Sequence, residues 1–385
     1  MNQLKNLVLR SADILQLLNN KKFLIKHCHP IIIKKWVVMK NKTIAILSIF
    51  AAASANAEVS VLPYTIIDIS ASRVSNVVKK DGDSHARTEA RLNGGYGSRW
   101  GVRTGVTFGE GQELFARYEQ GIVKVDGEVK TGLDERYLRL GHVGYTSSLG
   151  TIRYGQDLGI SYLSLDYDPL IGRLVSSSSQ LYFRDDGFVS NAFSYDSPTI
   201  NNFSFSLQHS GEQESRGFVY GTKKTYGASL KYANGPFSGR IGFDEQQSPD
   251  GELSNLFSYS KFAYAAGLVN LGKLTLMGGY SQLSAPDAAK AASKADHLWF
   301  GGKYQFTPKW STSLSVYDTK IRDSGRATML GGIVEYGLNK YITLWTTAGY
   351  LVNNDKSAFA INGLDSPSLG NNQTSVGLGM TFIYQ

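Results

Sequence analysis

The chain has 385 residues, with 40 lysines and arginines, 32 aspartates and glutamates, and a formal charge of +8. Residues 1–57 hold nine of the basic residues and one acid, so the following 328 residues carry 31 of each sign. This balance excludes a nucleic-acid-binding protein, because phosphate binding needs a surplus of cations. Cys28 is the only cysteine. Residues 58–385 therefore have no disulfide or thiolate metal site, and we expect no cofactor or metal.

Residues 39–57 have the pattern of a Sec signal peptide. Two lysines precede an apolar run at 44–53, and a small-x-small sequence ends at Ala57. Ten apolar residues are too few for a helix that crosses a hydrocarbon core of about 30 Å. We therefore expect export and cleavage after Ala57. Residues 1–38 are interpreted as the product of a start codon assigned too early, or as an extended leader.

Residues 58–385 alternate between apolar and polar side chains in runs of about ten, a pattern that favours β-strands. Residues 203–208 and 376–384 are clear examples. The same segment has no apolar stretch of about 18 residues, so the sequence does not indicate a transmembrane helix. Sixteen strands are predicted to start near residues 59, 97, 112, 134, 150, 189, 202, 224, 237, 256, 272, 296, 310, 326, 341 and 373.

The gaps between these runs alternate between short and long. Short gaps lie at 109–111, 147–149, 270–271, 307–309 and 339–340. Long gaps lie at about 72–96, 158–188, 211–223, 284–295 and 352–372. An even number of strands with tight periplasmic turns and long external loops is typical of an outer-membrane β-barrel. A soluble β-sandwich is the alternative, but such a domain is typically about 100 residues.

Aromatic residues near the predicted strand ends support the barrel. Amphipathic rings at the headgroup level form the girdles of such proteins. The candidates are Tyr64, Tyr118, Tyr145, Tyr341, Tyr350 and Tyr384.

Four segments resemble motifs of the Gram-negative general porins, especially the trimeric neisserial and related proteobacterial type. They lie at 98–103, 115–121, 149–156 and between 184 and 198, and the resemblance spans nearly all of 39–385. It implies an all-β, transmembrane, antiparallel barrel of sixteen strands over 58–385, with the third loop folded inward. It also implies a homotrimer in contact with outer-membrane lipid and lipopolysaccharide, through which small hydrophilic solutes and ions diffuse passively.

Strand alternation predicts a basic inner wall. If Val102, Ala116, Leu138, Leu140, Ile152 and Tyr154 face lipid, their neighbours Arg103, Arg117, Arg139 and Arg153 face the lumen. The long loop at 158–188 carries the acids Asp166, Asp168, Asp185 and Asp186. The resemblance implies that such a loop faces the basic wall and narrows the pore, where the transverse field would bias ion selectivity. Alternatively, these arginines pair with neighbours such as Glu119 and only solvate a polar wall.

Two other functions are weighed against a porin: an outer-membrane barrel hydrolase, and a structural or adhesin barrel with a closed lumen. Hydrolysis needs a nucleophile or activated water beside a base, usually histidine. His85 is assigned to a loop, His142 and His209 to lipid-facing rows, and His297 to a strand start of undetermined parity. The sequence has no zinc-type histidine spacing and no Gly-x-Ser-x-Gly. We therefore expect a channel and not an enzyme.

Overall fold

The computed structural model describes residues 58–78, 83–109, 111–125, 128–130, 138–170, 187–215, 219–362 and 365–385. Residues 1–38 and the predicted signal peptide at 39–57 lie outside these ranges. The larger of two compact units comprises residues 60–105 and 111–385 and contains the barrel. In the smaller unit, 1–59 and 106–110, the described residues are 58, 59 and 106–109.

The described residues form nineteen strands and two 3₁₀ helices. The strands are β1 (Glu58–Val78), β2 (Ser84–Leu92), β3 (Arg99–Thr107), β4 (Glu113–Gly121), β5 (Val123–Val125), β6 (Glu128–Lys130), β7 (Leu138–Ser147), β8 (Gly150–Leu158), β9 (Phe188–Asp196), β10 (Phe203–Ser210), β11 (Lys224–Asn234), β12 (Phe237–Gln247), β13 (Lys261–Leu271), β14 (Leu274–Ser284), β15 (Lys294–Gln305), β16 (Trp310–Ile321), β17 (Gly325–Gly337), β18 (Ile342–Asn353) and β19 (Gln373–Tyr384). The helices span Ile160–Tyr167 and Lys290–Ala292.

The main sheet closes on itself. Its strands pair antiparallel in chain order, and β1 pairs with β19 from Thr65↔Tyr384 to Val74↔Ser375. Both β2 and β3 pair with β1, so together they fill one position in the barrel, and β5 and β6 form a separate hairpin. The barrel therefore has sixteen strand positions, which confirms the count predicted from the sequence. Closure leaves the main sheet without a free edge, which a bilayer demands because it offers no water to unpaired amides.

One predicted loop is wrong. Residues 72–96 contain the end of β1, which continues to Val78, and the whole of β2, which also includes His85. The β2 side chains Arg87 and Arg91 contact Asp365, which lies far along the chain between β18 and β19. Polar residues on both faces of β2 remove the alternation that marks the other strands, so the local pattern is typical of a loop.

The alternating pattern sorts side chains between the two faces of the wall. In β16, Ser313 and Ser315 are buried on the inner face, whereas Leu314 and Val316 are 58% and 46% exposed on the outer face. A hydrocarbon environment stabilises this apolar outer face and leaves the polar face to the lumen. Among the described residues, no helix is long and apolar enough to cross a membrane.

Aromatic rings pair at the ends of strands next to the short turns. Ring centroids are 4.6 Å apart for Trp310 and Tyr336, and 4.8 Å apart for Phe203 and Tyr232. Tyr384, one of the predicted girdle residues, lies 6.1 Å from Tyr341. This arrangement suits an interfacial girdle, where an amphipathic ring keeps its hydroxyl in water.

The first part of the connection between β8 and β9, residues 159–170, folds into the barrel, and we call these residues the inward loop. Its 3₁₀ helix lies against the wall through polar contacts with three strands. The Ser161 amide donates to Asp244 of β12 (2.7 Å), the Trp299 indole of β15 donates to the Tyr167 carbonyl (2.9 Å), and the Tyr317 hydroxyl of β16 donates to Asp168 (2.6 Å).

Apolar packing on the inner face adds to these contacts. Leu165 and Leu170 of the inward loop belong to two buried clusters on the wall. Burying apolar side chains of this size stabilises by about 1.5–3 kcal/mol each. The first turns of the inward loop are therefore fixed to one side of the lumen.

Candidate functional site

Three arginines surround one buried carboxylate on the inner wall. Glu119, near the C-terminal end of β4, is almost fully buried. Its carboxylate lies 3.3 Å from Arg99 Nε, 3.2 Å from Arg117 Nη2 and 2.9 Å from Arg139 Nε. We call these four residues the Glu119 cluster. With three positive charges and one negative charge, the cluster has a formal charge of +2.

Tyr64 completes the contacts of this carboxylate. Its hydroxyl donates to Glu119 Oε2 (2.8 Å) and accepts from Arg117 Nε (3.1 Å). The sequence assigned Tyr64 to the aromatic girdle because it is near a strand end, but its side chain faces inward. Hydrogen bonds to charged groups are worth about 1.5–3 kcal/mol each, so this arrangement holds the guanidinium groups in place.

Arg139 reaches the cluster because β7 has a β-bulge. The pairing runs Glu119↔Leu140 and then Gln120↔Leu138, so Arg139 is the extra residue between them. A bulge re-aims a side chain that simple alternation would send to the other face. The Arg139 guanidinium also lies over the Phe188 ring, 4.9 Å from its centroid.

Arg139 was predicted to face the lumen because Leu138 and Leu140 were expected to face lipid, and the expectation for Leu140 is wrong. Leu140 does not face lipid: it is buried with Phe188 and Val219. His142 is also not lipid-facing, since it pairs across strands with Arg117 and is buried with its Nδ1 3.3 Å from the Gln156 carbonyl oxygen. His209 is exposed on the same face as Leu207, as predicted.

The other two predicted arginines lie outside the Glu119 cluster. Arg103 pairs with Glu113 (3.2 Å) and lies over the Phe115 ring. Arg153 contacts both Asp157 (2.6 Å) and Asp196. Arg153 is thus held between two carboxylates, which offset its charge, whereas the Glu119 cluster keeps an excess of positive charge.

The two described acids of the inward loop have different environments. Asp168 is buried and accepts the Tyr317 hydroxyl, so it fixes the loop to the wall. Asp166 is exposed. Partial desolvation raises the pKa of Asp166, and the positive charges of Arg240 and Lys231 oppose that rise. Asp185 and Asp186 lie outside the described residues.

Four charged or polar residues of the inner wall were not predicted from the sequence to line the lumen: Tyr64, Arg99, Lys231 and Arg240. Arg99 has a local signal, because it is four residues before Arg103 on the same strand and therefore shares its face. Lys231 and Arg240 lie on β11 and β12 and are direct cross-strand partners. Their alignment depends on the register of the hairpin, which the predicted strand starts alone do not give.

A closed barrel with an apolar outer face, a charged inner wall and a loop folded inside defines a transmembrane channel of the outer-membrane type. A family model described as Gram-negative porin matches residues 43–357, and the chain belongs to this family. It is an outer-membrane porin, a channel for passive diffusion.

Relatives and solved structures agree with this assignment. The chain is 24% identical over 360 residues to outer membrane porin protein 32 of Delftia acidovorans, covering 89% of this chain and 99% of that protein. It is similar to the anion-selective porin from Comamonas acidovorans, with a TM-score of 0.71, 18% identity and coverage of 85% and 100%. The trimer form of OmpT from Vibrio cholerae gives a TM-score of 0.59 at 14% identity, with coverage of 85% and 99%.

Proposed function

We propose that this porin passes small hydrophilic solutes and ions through a lumen whose charge is set by the Glu119 cluster, and that it favours anions. The observation that carries the proposal is the excess of two positive charges on adjoining strands of the inner wall. Charge on the wall of a narrow pore raises the local concentration of ions of the opposite sign. The Comamonas porin, which shares the fold, is described as anion-selective.

The four arginines predicted from the sequence have different parts in this proposal. Arg117 and Arg139 supply most of the field, because they share one carboxylate with a third arginine. Arg103 and Arg153 contribute less, because each faces its own carboxylates. On the opposite side, Asp166 supplies negative charge, and we assign the same role to Asp185 and Asp186.

The experiment that tests this proposal is a reversal-potential measurement. Refolded protein in a planar bilayer under a salt gradient is expected to give a potential of the sign for anion flux. The preference should weaken as salt rises, since the Debye length falls from about 30 Å at 0.01 M to about 3 Å at 1 M. A cation-selective potential at low salt would contradict the proposal.

We also propose a homotrimer in outer-membrane lipid and lipopolysaccharide. Its support is the trimer form of OmpT among structures of the same fold, together with the closed point-group symmetry that most homo-oligomers of soluble proteins adopt. Conductance should then rise in groups of three equal steps, and native mass measurement should give three chains. A monomer by mass together with single uniform steps would contradict it.

The proposed maturation is Sec export followed by cleavage after Ala57. N-terminal sequencing of protein isolated from outer membranes should begin at Glu58. A thiol label should not react with the mature chain, because Cys28 would be removed with the leader. A labelled mature chain would contradict this proposal and would place residues 1–57 in the membrane-bound protein.

A non-enzymatic channel is proposed in preference to a barrel hydrolase and to a closed structural barrel. His142 and His297 are both buried, at 7% and 2% exposure. A hydrolase would show turnover of lipid or peptide substrates without ohmic current. A structural barrel would show neither turnover nor current.

A further inference from the structure

A second charged region lies behind the inward loop, separate from the Glu119 cluster. A cavity of about 350 Å³ lies between the start of that loop and strands β8 to β12. One side is apolar and is formed by Leu158 at the end of β8 and by Ile160 and Leu163 of the inward loop. The wall side is polar and includes Lys231 and Arg240. A space of this size holds a small solute with several waters.

The two cations are placed directly opposite each other. Lys231 of β11 and Arg240 of β12 are cross-strand partners. Like charges in this position destabilise a sheet unless something offsets them. The Arg240 Nη1 donates to Ser229 Oγ (3.1 Å), but neither cation forms an ion pair with a described carboxylate. The buried Nε of Arg240 also has no hydrogen-bond acceptor among the described residues.

Three described acids around the cavity, Asp157, Asp196 and Asp166, form no ion pair with Lys231 or Arg240. Asp157 and Asp196, on the far side of the cavity, are both engaged by Arg153. Asp166 of the inward loop acts on the pair electrostatically without a direct contact. Lys231, Arg240 and an unused buried donor therefore line one cavity without a described carboxylate in contact with them, although the surrounding acids balance the cations in number.

We propose that Lys231 and Arg240 form a binding site for a small oxyanion, a carboxylate or a phosphate. The anion lies in the cavity behind the inward loop, accepts from the Arg240 guanidinium and the Lys231 ammonium, and separates the two like charges. Charge-assisted hydrogen bonds of this type are about twice as strong as neutral ones. The apolar side of the cavity accommodates the short hydrocarbon part of a carboxylate. This site is independent of the charge selectivity proposed for the Glu119 cluster.

The test is a calorimetric titration of the refolded full-length protein in detergent at neutral pH and low salt. Sodium phosphate and sodium propionate are titrated separately, and the tighter of the two identifies the oxyanion. We expect one saturable site per chain for wild type. The double variant Lys231→Gln, Arg240→Gln should weaken binding about tenfold or more, since it removes two charge-assisted contacts.

The matched control removes the same charge elsewhere. Lys261 and Lys303 each pair with a carboxylate, at 3.7 Å from Glu245 and 3.4 Å from Glu335. The double variant Lys261→Gln, Lys303→Gln should keep the wild-type affinity. If both double variants lose affinity equally, binding follows total charge and the proposed site is wrong.

A third variant tests the location without removing a ligand-binding group. Asp166→Asn takes away the nearby negative charge, so it should tighten oxyanion binding severalfold. An unchanged affinity would overturn the proposal, as would the absence of saturable binding to wild type. Circular dichroism verifies the folded barrel for each variant, and the Asp166→Asn result stands even if the Lys231→Gln, Arg240→Gln variant does not refold.

Discussion

Replacing Arg117 and Arg139 by glutamine is the most informative change in the pore. Both guanidinium groups contact Glu119, and their loss changes the cluster from a formal charge of +2 to zero. Arg99 and the Tyr64 hydroxyl still contact the carboxylate. Because Glu119 keeps these partners, we expect the double variant to fold and to change mainly in selectivity.

The size of the effect follows from Coulomb's law. At a distance of roughly 6 Å in water, one unit charge contributes about 0.7 kcal/mol to the energy of a monovalent ion. The same charge attracts an anion and repels a cation, so it separates their energies by about 1.4 kcal/mol, or about tenfold in relative permeability. Screening at 0.1 M, where the Debye length is about 10 Å, reduces this to about fourfold per charge.

The assay is the reversal potential under a salt gradient, measured at two ionic strengths. The double variant should lose most of the anion preference, with the larger change at low salt. The matched control is Lys320→Gln, Arg326→Gln, which removes two positive charges from the outer face of β16 and β17, where Arg326 pairs with Asp318. An unchanged potential in the first variant, or an equal change in the control, would refute the assignment of the Glu119 cluster as the selectivity-determining region.

Three further results are expected. Glu119→Gln removes the buried counter-charge of three arginines; it should increase anion preference in bilayers and lower the free energy of unfolding in urea by about 1–3 kcal/mol. Leu314→Arg places a charge on the apolar outer face of β16 and should lower the free energy of unfolding by about 2–4 kcal/mol near the bilayer midplane. The control Glu212→Arg, in an exposed loop, should change it by about 0.5 kcal/mol or less. Equal losses of stability in the two variants would contradict the lipid-facing assignment of Leu314. The raised pKa of Asp166 means that it gains its proton at a higher pH than an ordinary aspartate, so lowering the pH removes lumenal negative charge and should increase anion preference. Reversal potentials measured across the acidic range should show a smaller change for Asp166→Asn, and an identical pH profile would contradict this role.

The barrel was predictable because its signal is local. Alternation within ten residues marks a strand, and glycine and polar residues mark the turns, as at Gly272, whose positive φ of 71° closes the tight turn between β13 and β14. Nearly all predicted strand starts therefore agree with the structure within a few residues. The exception, β2, depends on a distant partner: Arg87 and Arg91 contact Asp365, 278 and 274 residues away.

The site was predictable only in part, for related reasons. Alternation identified the inward arginines but could not show that a bulge at Arg139 re-aims its side chain. It also gave Asp168 and Asp166 the same role, although Asp168 is bonded to Tyr317, 149 residues away, and Asp166 is not. Contacts between distant segments decide which charges pair and which remain to act on ions, and the order of residues along one strand does not specify them.

Single-channel recording of the refolded protein in planar bilayers tests the central claim most directly, because a diffusion pore carries ionic current and a closed barrel does not. An open lumen should give stable, ohmic steps whose conductance rises with the conductivity of the bulk salt solution. A bilayer that stays ion-tight while circular dichroism shows a fully folded, inserted barrel would contradict the assignment of this chain as a water-filled channel.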